Sequence, residues 1–158
     1  MAMRTVQRRI VAAHIVSADG KVLFGRKRPG AVYEDCWHIP GGGVDEGEND
    51  DQAVKREVTE ETGITEGRVI LIDNKGTGES EKTLEGGERV LVKMQFNIYK
   101  IEIDRPAAEI QVVESDDLVG FQWFGLDEFE NIKLTPPEYV LLERIGSEWL
   151  RYDGVGEK

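Results

Sequence analysis

Hydrophobic and polar positions divide the chain into segments of two periods. Arg8 to Ser17 (RRIVAAHIVS) is apolar and rich in β-branched residues, which predicts a strand. Ala18-Asp19-Gly20 is a tight turn, and the Asp-Gly pair predicts a hairpin onto a returning strand at Lys21 to Arg26 (KVLFGR). Further strands are predicted at Arg68 to Asp73 (RVILID), at Arg89 to Ile103, where the alternation is long, and at Leu118 to Phe124 (LVGFQWF). Glu48 to Thr62 contains no Gly or Pro and repeats Ala53, Val54 and Val58 at helical spacing. This predicts a helix with one apolar and one acidic face, capped by Asn49 or Asp50. A second helix is predicted over Pro136 to Leu150, with Thr135 as N-cap, Pro136 in the first position and Tyr139, Leu142 and Ile145 as the apolar stripe. Leu126 to Glu130 predicts a helical turn.

The connections are equally readable. Lys27 to Asp35 is a loop holding Pro29-Gly30. Trp37-His38-Ile39-Pro40 leads into Gly41-Gly42-Gly43, where the backbone is free to bend sharply or to pass close to a ligand. Lys75 to Glu88 is polar and Gly-rich, which predicts a mobile loop or a wide hairpin tip. Pro106 to Asp117 is a connection bearing several carboxylates. No internal repeat or linker interrupts the pattern, so one domain over residues 1–158 is expected, with short flexible tails at 1–7 and 152–158. Periodicity alone gives α/β or α+β.

Composition narrows the function classes. Hydrophobic residues make up 39% and charged residues 32%, and the net charge is -11. No apolar run approaches the roughly 18 residues of a membrane span, and the basic N-terminus lacks the apolar stretch of a signal peptide. Cys36 has no disulfide partner within the chain, so a reducing cytoplasm is the expected compartment and a small buried hydrophobe the expected role. The acidic balance argues against a nucleic acid polymer as partner, because such binding neutralises phosphates with Lys and Arg. A small anion remains compatible if local cations or a metal meet it.

The most informative stretch runs from Gly42 to Ile64. Glu57, Glu60 and Glu61 stand three and four residues apart, which stacks like charges on one helical face. They also lie just before Gly63, a predicted helix stop, where the helix dipole disfavours negative charge. A cluster set against both rules calls for a cation, and hard divalent ions take carboxylate oxygens.

This stretch resembles the Nudix box, G-x5-E-x7-R-E-U-x-E-E-x-G-U with U aliphatic. Gly42, Glu48, Arg56, Glu57, Val58, Glu60, Glu61, Gly63 and Ile64 fill every defined position. The resemblance implies a Nudix-type α/β/α sandwich with a mixed β-sheet between helices. It implies a pyrophosphohydrolase similar to MutT that cleaves the phosphoanhydride of a nucleoside diphosphate linked to a group X, with Mg²⁺ as cofactor and Mn²⁺ as a substitute. Gly41 (through its carbonyl), Glu57, Glu60 and Glu61 are the implied metal ligands, and Glu57 is also catalytic. Arg56 is positioned to hold a carboxylate by a bidentate contact, with Glu48 as its partner or as part of an outer metal shell. The family's second carboxylate base lies on the loop before the last strand, where Glu114 and Asp117 are the candidates. Arg26, Lys27 and Arg28 are the candidate phosphate contacts, with Gly42 beside them. Met94, Phe96 and Trp123 are either core residues or a stacking surface for a base.

The box does not read X. The short chain resembles enzymes that convert a (deoxy)nucleoside triphosphate to a monophosphate and pyrophosphate. A nucleotide-sugar or ADP-ribose pyrophosphatase is the enzymatic alternative. A non-catalytic nucleotide-sensing module is the alternative of another class, although its mark, a lost box glutamate, is absent. A structural Ca²⁺ module would carry an EF-hand loop, which the chain lacks. A small-molecule nucleotide is the expected partner, and either a monomer or a homodimer is compatible.

Overall fold

The computed structural model describes residues 3–154. Six strands are formed: β1 (Arg4–Ser17), β2 (Lys21–Arg26), β3 (Gly41–Gly43), β4 (Arg68–Thr83), β5 (Arg89–Ile103) and β6 (Val119–Gly125). Two α-helices accompany them, α1 (Asp50–Thr62) and α2 (Pro136–Ile145), with 3₁₀ turns at Ala107–Glu109, Leu126–Asn131 and Ser147–Leu150. The sheet runs β4-β5-β1-β2-β6, and the short β3 pairs with β1. It is mixed. β1 and β5 are parallel from Arg4 opposite Val90 to Ser17 opposite Ile103, whereas β1–β2, β1–β3, β2–β6 and β4–β5 are antiparallel. This is the expected mixed sheet between helices.

Alternation along β1 sorts the two faces. Val11, Ala13 and Ile15 point to one side, where they bury Ala53, Val54 and Val58 of α1 together with Leu23, Tyr99, Ile101 and Ile103. Val16 faces the other side and packs with Val22, Phe24, Trp37, Phe124, Phe129 and Leu134. Phe24 meets Phe129 edge-on at 5.5 Å between centroids, and Trp37 meets Phe124 at 5.0 Å. Such aromatic contacts add about 0.5–1.5 kcal/mol each beyond the area they bury. α1 therefore sits on a closed core, and its polar face is left to the rim of the sheet.

Local chemistry fixes α1. Asn49 is the N-cap: its side chain accepts from the Gln52 amide at 2.8 Å, and the Gln52 side chain accepts from the Asn49 amide at 2.9 Å. Asp50 and Asp51 in the first turn complement the dipole. Gly63 stops the helix in the left-handed region, φ 79°, with its amide on the Thr59 carbonyl.

Several expectations are corrected. The polar segment after Asp73 is not a loop: β4 continues to Thr83 along β5, through irregularities at Leu71–Asp73 and Asp73–Gly76. The hairpin tip is confined to 84–88, closed by the Leu84 amide on the Glu88 carbonyl at 2.7 Å. Backbone pairing with a ready-made partner strand holds it without an apolar pattern. The second helix ends at Ile145 rather than Leu150, because Gly146 leaves helical space at φ 85°. Its buried side is Glu138 and Leu141, with Leu142 packed against the core and Tyr139 exposed, instead of the Tyr139–Leu142–Ile145 stripe. Residues 4–7 belong to β1 rather than to a tail. In the other expected tail, Tyr152 bonds to Asp104 and the Asp153 amide donates to Glu102 at 2.7 Å. The remaining tail positions, 1–2 and 155–158, lie outside the described residues.

Candidate active site

The box glutamates fall into two groups. Glu48 is held by a bidentate contact from Arg56, Nε to Oε2 at 2.6 Å and Nη2 to Oε1 at 3.1 Å. The same guanidinium donates to Glu57 at 3.0 Å, to Glu60 at 3.3 Å and to the Gly43 carbonyl at 3.0 Å. The Arg56 bond holds the Glu48 carboxyl below the usual carboxylate range, and Glu48 in turn raises the Arg56 guanidinium. Arg56 therefore ties the start of α1, its exposed Glu60 and β3 into one unit.

Glu61 belongs to the second group. It is buried, and its carboxyl is pushed up to about 8. Burial is the largest cause, followed by the hydrogen bond and charge of Glu57, while Lys27 and the Gly41 backbone pull the other way. Two carboxylates are thus pressed together on one side of the glycine segment. Glycine is required there for space: a Cβ on Gly42 would land on the Glu57 carboxyl group, and one on Gly41 on the Val11 carbonyl and Ala12. The Glu57–Glu61 pair beside the Gly41 backbone has the hard-oxygen chemistry that suits a divalent cation. Glu60 lies apart, mostly exposed and turned to Arg56. Among the described residues no three acidic, His or Cys side chains already form a cation cage.

The three basic candidates have three different environments. Arg26 lies over the Trp37 ring, 4.0 Å from its centroid, and donates to the Asp35 carbonyl at 3.1 Å. Arg28 donates to the Asp116 carbonyl at 2.7 Å and to that of Ser115 at 2.9 Å, fastening the loop before β6. Lys27 lines the large cavity and is close enough to Glu61 to act on its charge. On the fastened loop, Glu114 accepts from the Gly120 amide at 2.7 Å, and Asp117 is exposed with its amide on Ser115 Oγ. Neither lines the cavity. The Val113 amide on the Thr62 carbonyl at 2.8 Å keeps this loop beside the end of α1.

The cavity measures about 890 Å³ and opens on the α2 face of the sheet. Gly41, Gly42 and Lys27 form one part of its wall, Phe96 and Ile98 another, and Thr135 to Glu138 with Val140 and Leu141 of the α2 region a third. Phe96 alone of the three stacking candidates lines it, since Trp123 packs against the α1 core and Met94 is absent from the wall. Sequence reasoning missed Tyr33, His38, Asp73, Lys75, Glu138 and Arg144, which also line it. Tyr33 holds a left-handed backbone, φ 58°, with its carbonyl 2.7 Å from His38 Nε2. Arg144 clamps Asp73 with bonds of 3.1 and 2.7 Å, which keeps α2 against β4 and holds the Asp73 carboxyl below its usual range. These residues come from distant segments, and no local pattern marks them. Cys36 is buried, and burial pushes its thiol up, as suits an inert core position.

The NUDIX domain family profile matches residues 6–145. The chain belongs to the NUDIX family. An RNA pyrophosphohydrolase of Bradyrhizobium sp. (strain ORS 278) is 34% identical over 162 residues, covering 93% of this chain and 94% of that protein. In the RNA pyrophosphohydrolase of Hydrogenovibrio crunogenus the likeness is 44% but confined to 50 residues, 32% of this chain and 28% of the relative. The matched segments of two further relatives of the same name span 35% and 36% of their lengths. Among solved structures, a MutT NUDIX hydrolase from Burkholderia pseudomallei superposes with a TM-score of 0.57 at 28% identity, covering 89% of this chain and 98% of that one. No helix of the described residues is long and apolar enough to cross a membrane.

Proposed function

We propose that this chain is a pyrophosphohydrolase that uses Mg²⁺, or Mn²⁺ in its place, to cleave a nucleoside triphosphate to a monophosphate and pyrophosphate. The observation that carries the reading is the Glu57–Glu61 pair, pressed together beside Gly41 and Gly42 where these glycines enter the wall of the cavity. Glu57, Glu61 and the Gly41 carbonyl would hold the ion, with Glu60 joining them on leaving Arg56. When bound, the ion supplies charge neutralisation to the phosphates and lowers the cost of bringing an anion to an acidic protein. Arg56 keeps Glu57 in place by hydrogen bonding and charge. Lys27 meets a phosphate oxygen at the same end. Glu57 takes the proton of the attacking water, with Glu114 or Asp117 as the second base candidate on the neighbouring loop.

A triphosphate is favoured over a nucleotide sugar because Lys27 is a cation at the phosphate end, while the rest of the cavity is walled largely by apolar groups suited to one nucleoside. A second reading, a triphosphate at the 5′ end of RNA, is favoured by the name shared by the relatives. The net charge of -11 weighs against a long polyanion.

The deciding experiment is a panel of nucleoside triphosphates, nucleotide sugars, ADP-ribose and triphosphorylated RNA, incubated with Mg²⁺ and resolved by chromatography. Monophosphate and pyrophosphate from free triphosphates, at a kcat/KM above that for every other class, is the expected result. Preference for the RNA end establishes the second reading. Preference for ADP-ribose or a sugar nucleotide overturns the triphosphate assignment. Turnover of nothing in the panel overturns the catalytic reading in favour of a nucleotide-sensing module.

A further inference from the structure

Besides the Asp73–Arg144 clamp, the cavity wall carries a second ion-pairing group. Glu138, in the first turn of α2, is buried yet lines the cavity. Its Oε2 lies 2.5 Å from Nε2 of His14, a fully buried residue toward the end of β1. No other hydrogen bond to this carboxylate is present among the described residues, so Oε1 and its lone pairs remain open. His14 Nδ1 is buried without a partner. That asymmetry assigns the tautomer: Nε2 carries the hydrogen and donates to Glu138, and the bare nitrogen is the one left unpaired. An apolar ring would fill the same space without an orphan atom. A buried histidine kept despite an orphan atom makes sense if its task is to aim the carboxylate.

The surroundings define what the carboxylate meets. Phe96 lies on the same cavity wall, and β4 passes it with Gly76 and Gly78. A Cβ on Gly78 would come within 3.3 Å of the Phe96 ring, and one on Gly76 within 3.4 Å of Phe96 Cβ. The two glycines let the ring lie close to β4, with Arg144 Nη2 3.7 Å from a Cβ placed on Gly76 and Met94 Cε 3.6 Å from one on Gly78. An aromatic ring on the wall, apolar walls from Ile98 and Leu141, and a buried carboxylate that, unlike the Arg144-clamped Asp73, keeps an open oxygen are the parts of a site for a flat heterocycle with a hydrogen-bond donor on its edge.

We propose that Glu138, oriented by His14, is the specificity-determining residue of the nucleobase site, and that it selects bases bearing an amino donor on their pairing edge over bases bearing a carbonyl there. An amino group donates to the open carboxylate lone pairs. A carbonyl oxygen in the same place sets acceptor against acceptor, and the ring N–H that accompanies it lies one atom along the edge, so the base must shift in the site to donate to the carboxylate. This deepens the nucleotide reading above and rests on it for the location of the base.

Nucleoside monophosphates contain no anhydride, so their binding tests the base site separately from hydrolysis. The full chain is titrated by NMR with two matched pairs, CMP against UMP and AMP against IMP, which differ by an amino group in one member and a carbonyl with its neighbouring ring N–H in the other. In each pair the amino base binds about tenfold to a hundredfold more tightly. In Glu138→Gln, whose amide accepts from His14 and turns its NH₂ to the cavity, the preference collapses or inverts. Equal affinities within both pairs, no binding of any of the four, or an intact preference in a folded Glu138→Gln variant overturns the proposal. The native comparison needs no variant, so it decides the matter even if the substitution prevents folding. Discrimination among monophosphates without hydrolysis of any triphosphate leaves this inference standing and refutes the catalytic reading instead.

Discussion

Two carboxylate clusters lie on and just before helix α1, and their surroundings make opposite use of the same side chain. Toward the helix start, Glu48 is answered by Arg56 in two bonds, and the exposed Glu60 leans on the same guanidinium. One helical face away, Glu57 and Glu61 confront each other, and the buried member is pushed up to about 8. The first cluster is complete as it stands and fastens the helix to β3. In the second, Arg56 reaches Glu57 at 3.0 Å but not the buried Glu61, on whose charge Lys27 acts. Acidic residues crowded on a helix therefore cannot be read as one group: Arg56 holds Glu48, Glu57 and Glu60, while burial sets Glu61 apart.

The comparison predicts where damage is greatest. Chelation with EDTA abolishes phosphoanhydride hydrolysis and added Mg²⁺ restores it, as followed by product chromatography; full turnover in chelator would refute a role for the Glu57–Glu61 pair in holding an ion. Glu57→Gln keeps the shape of the side chain and lowers kcat by about a hundredfold or more while the melting temperature holds or rises. Near-native turnover would remove Glu57 from catalysis. Gly42→Ala drives a methyl into the Glu57 carboxyl group, so it lowers kcat by about tenfold or more without weakening the Glu48–Arg56 contacts. An unchanged kcat would show that Glu57 has freedom to move.

Smaller effects test the completed cluster. Arg56→Ala leaves Glu48, Glu57 and the Gly43 carbonyl without their donor, and the melting temperature falls by about 3–8 °C. A mere loss of activity with no thermal change would assign Arg56 to the chemistry alone. The gentlest test is pH. In the metal-free protein the Glu61 carboxyl titrates near 8 when folded and near 4.5 when unfolded, so between these values the folded state holds more protons than the unfolded state. Stability from this group is full below about 4.5 and is lost as pH rises through about 8. Denaturant midpoints should decline over that window, and Glu61→Gln should flatten the decline. A midpoint that rises from pH 5 to 8 in a manner dependent on Glu61 would reverse the assignment.

Legibility in the sequence followed the range of the forces involved. The bounds of β2 and β5, the capped start of α1 and its stop at Gly63 were readable because neighbours in sequence determine them. The Arg56–Glu48 contact was readable as well, since both residues sit on one short loop-and-helix unit. The outer half of β4 was hidden: its polar, Gly-rich composition suits a loop, and only β5 beside it supplies the ladder. The fates of Arg26, Lys27 and Arg28 were hidden for the same reason, because adjacent side chains in an extended segment leave in different directions and meet different distant partners. His14 and Glu138 carry no local mark at all. They meet only after the sheet has formed and α2 has closed over it.

The parallel ladder between β1 and β5 has a temporal consequence. Arg4 finds its place beside Val90, and Ser17 beside Ile103, so the central strand of the sheet is made first on the ribosome and stays unpaired on that edge until most of the chain has emerged. Its hairpin with β2 can form early, but closing so long a loop precedes any gain from the parallel contacts, which places such chains among the slower folders, in the range of about milliseconds to seconds. During that wait Val11, Ala13 and Ile15 lack their α1 cover until the box helix has emerged and docked. The segment that anchors α1 is thus also the segment most exposed to misassociation at birth, and chaperone demand should be greatest before β5 is synthesised.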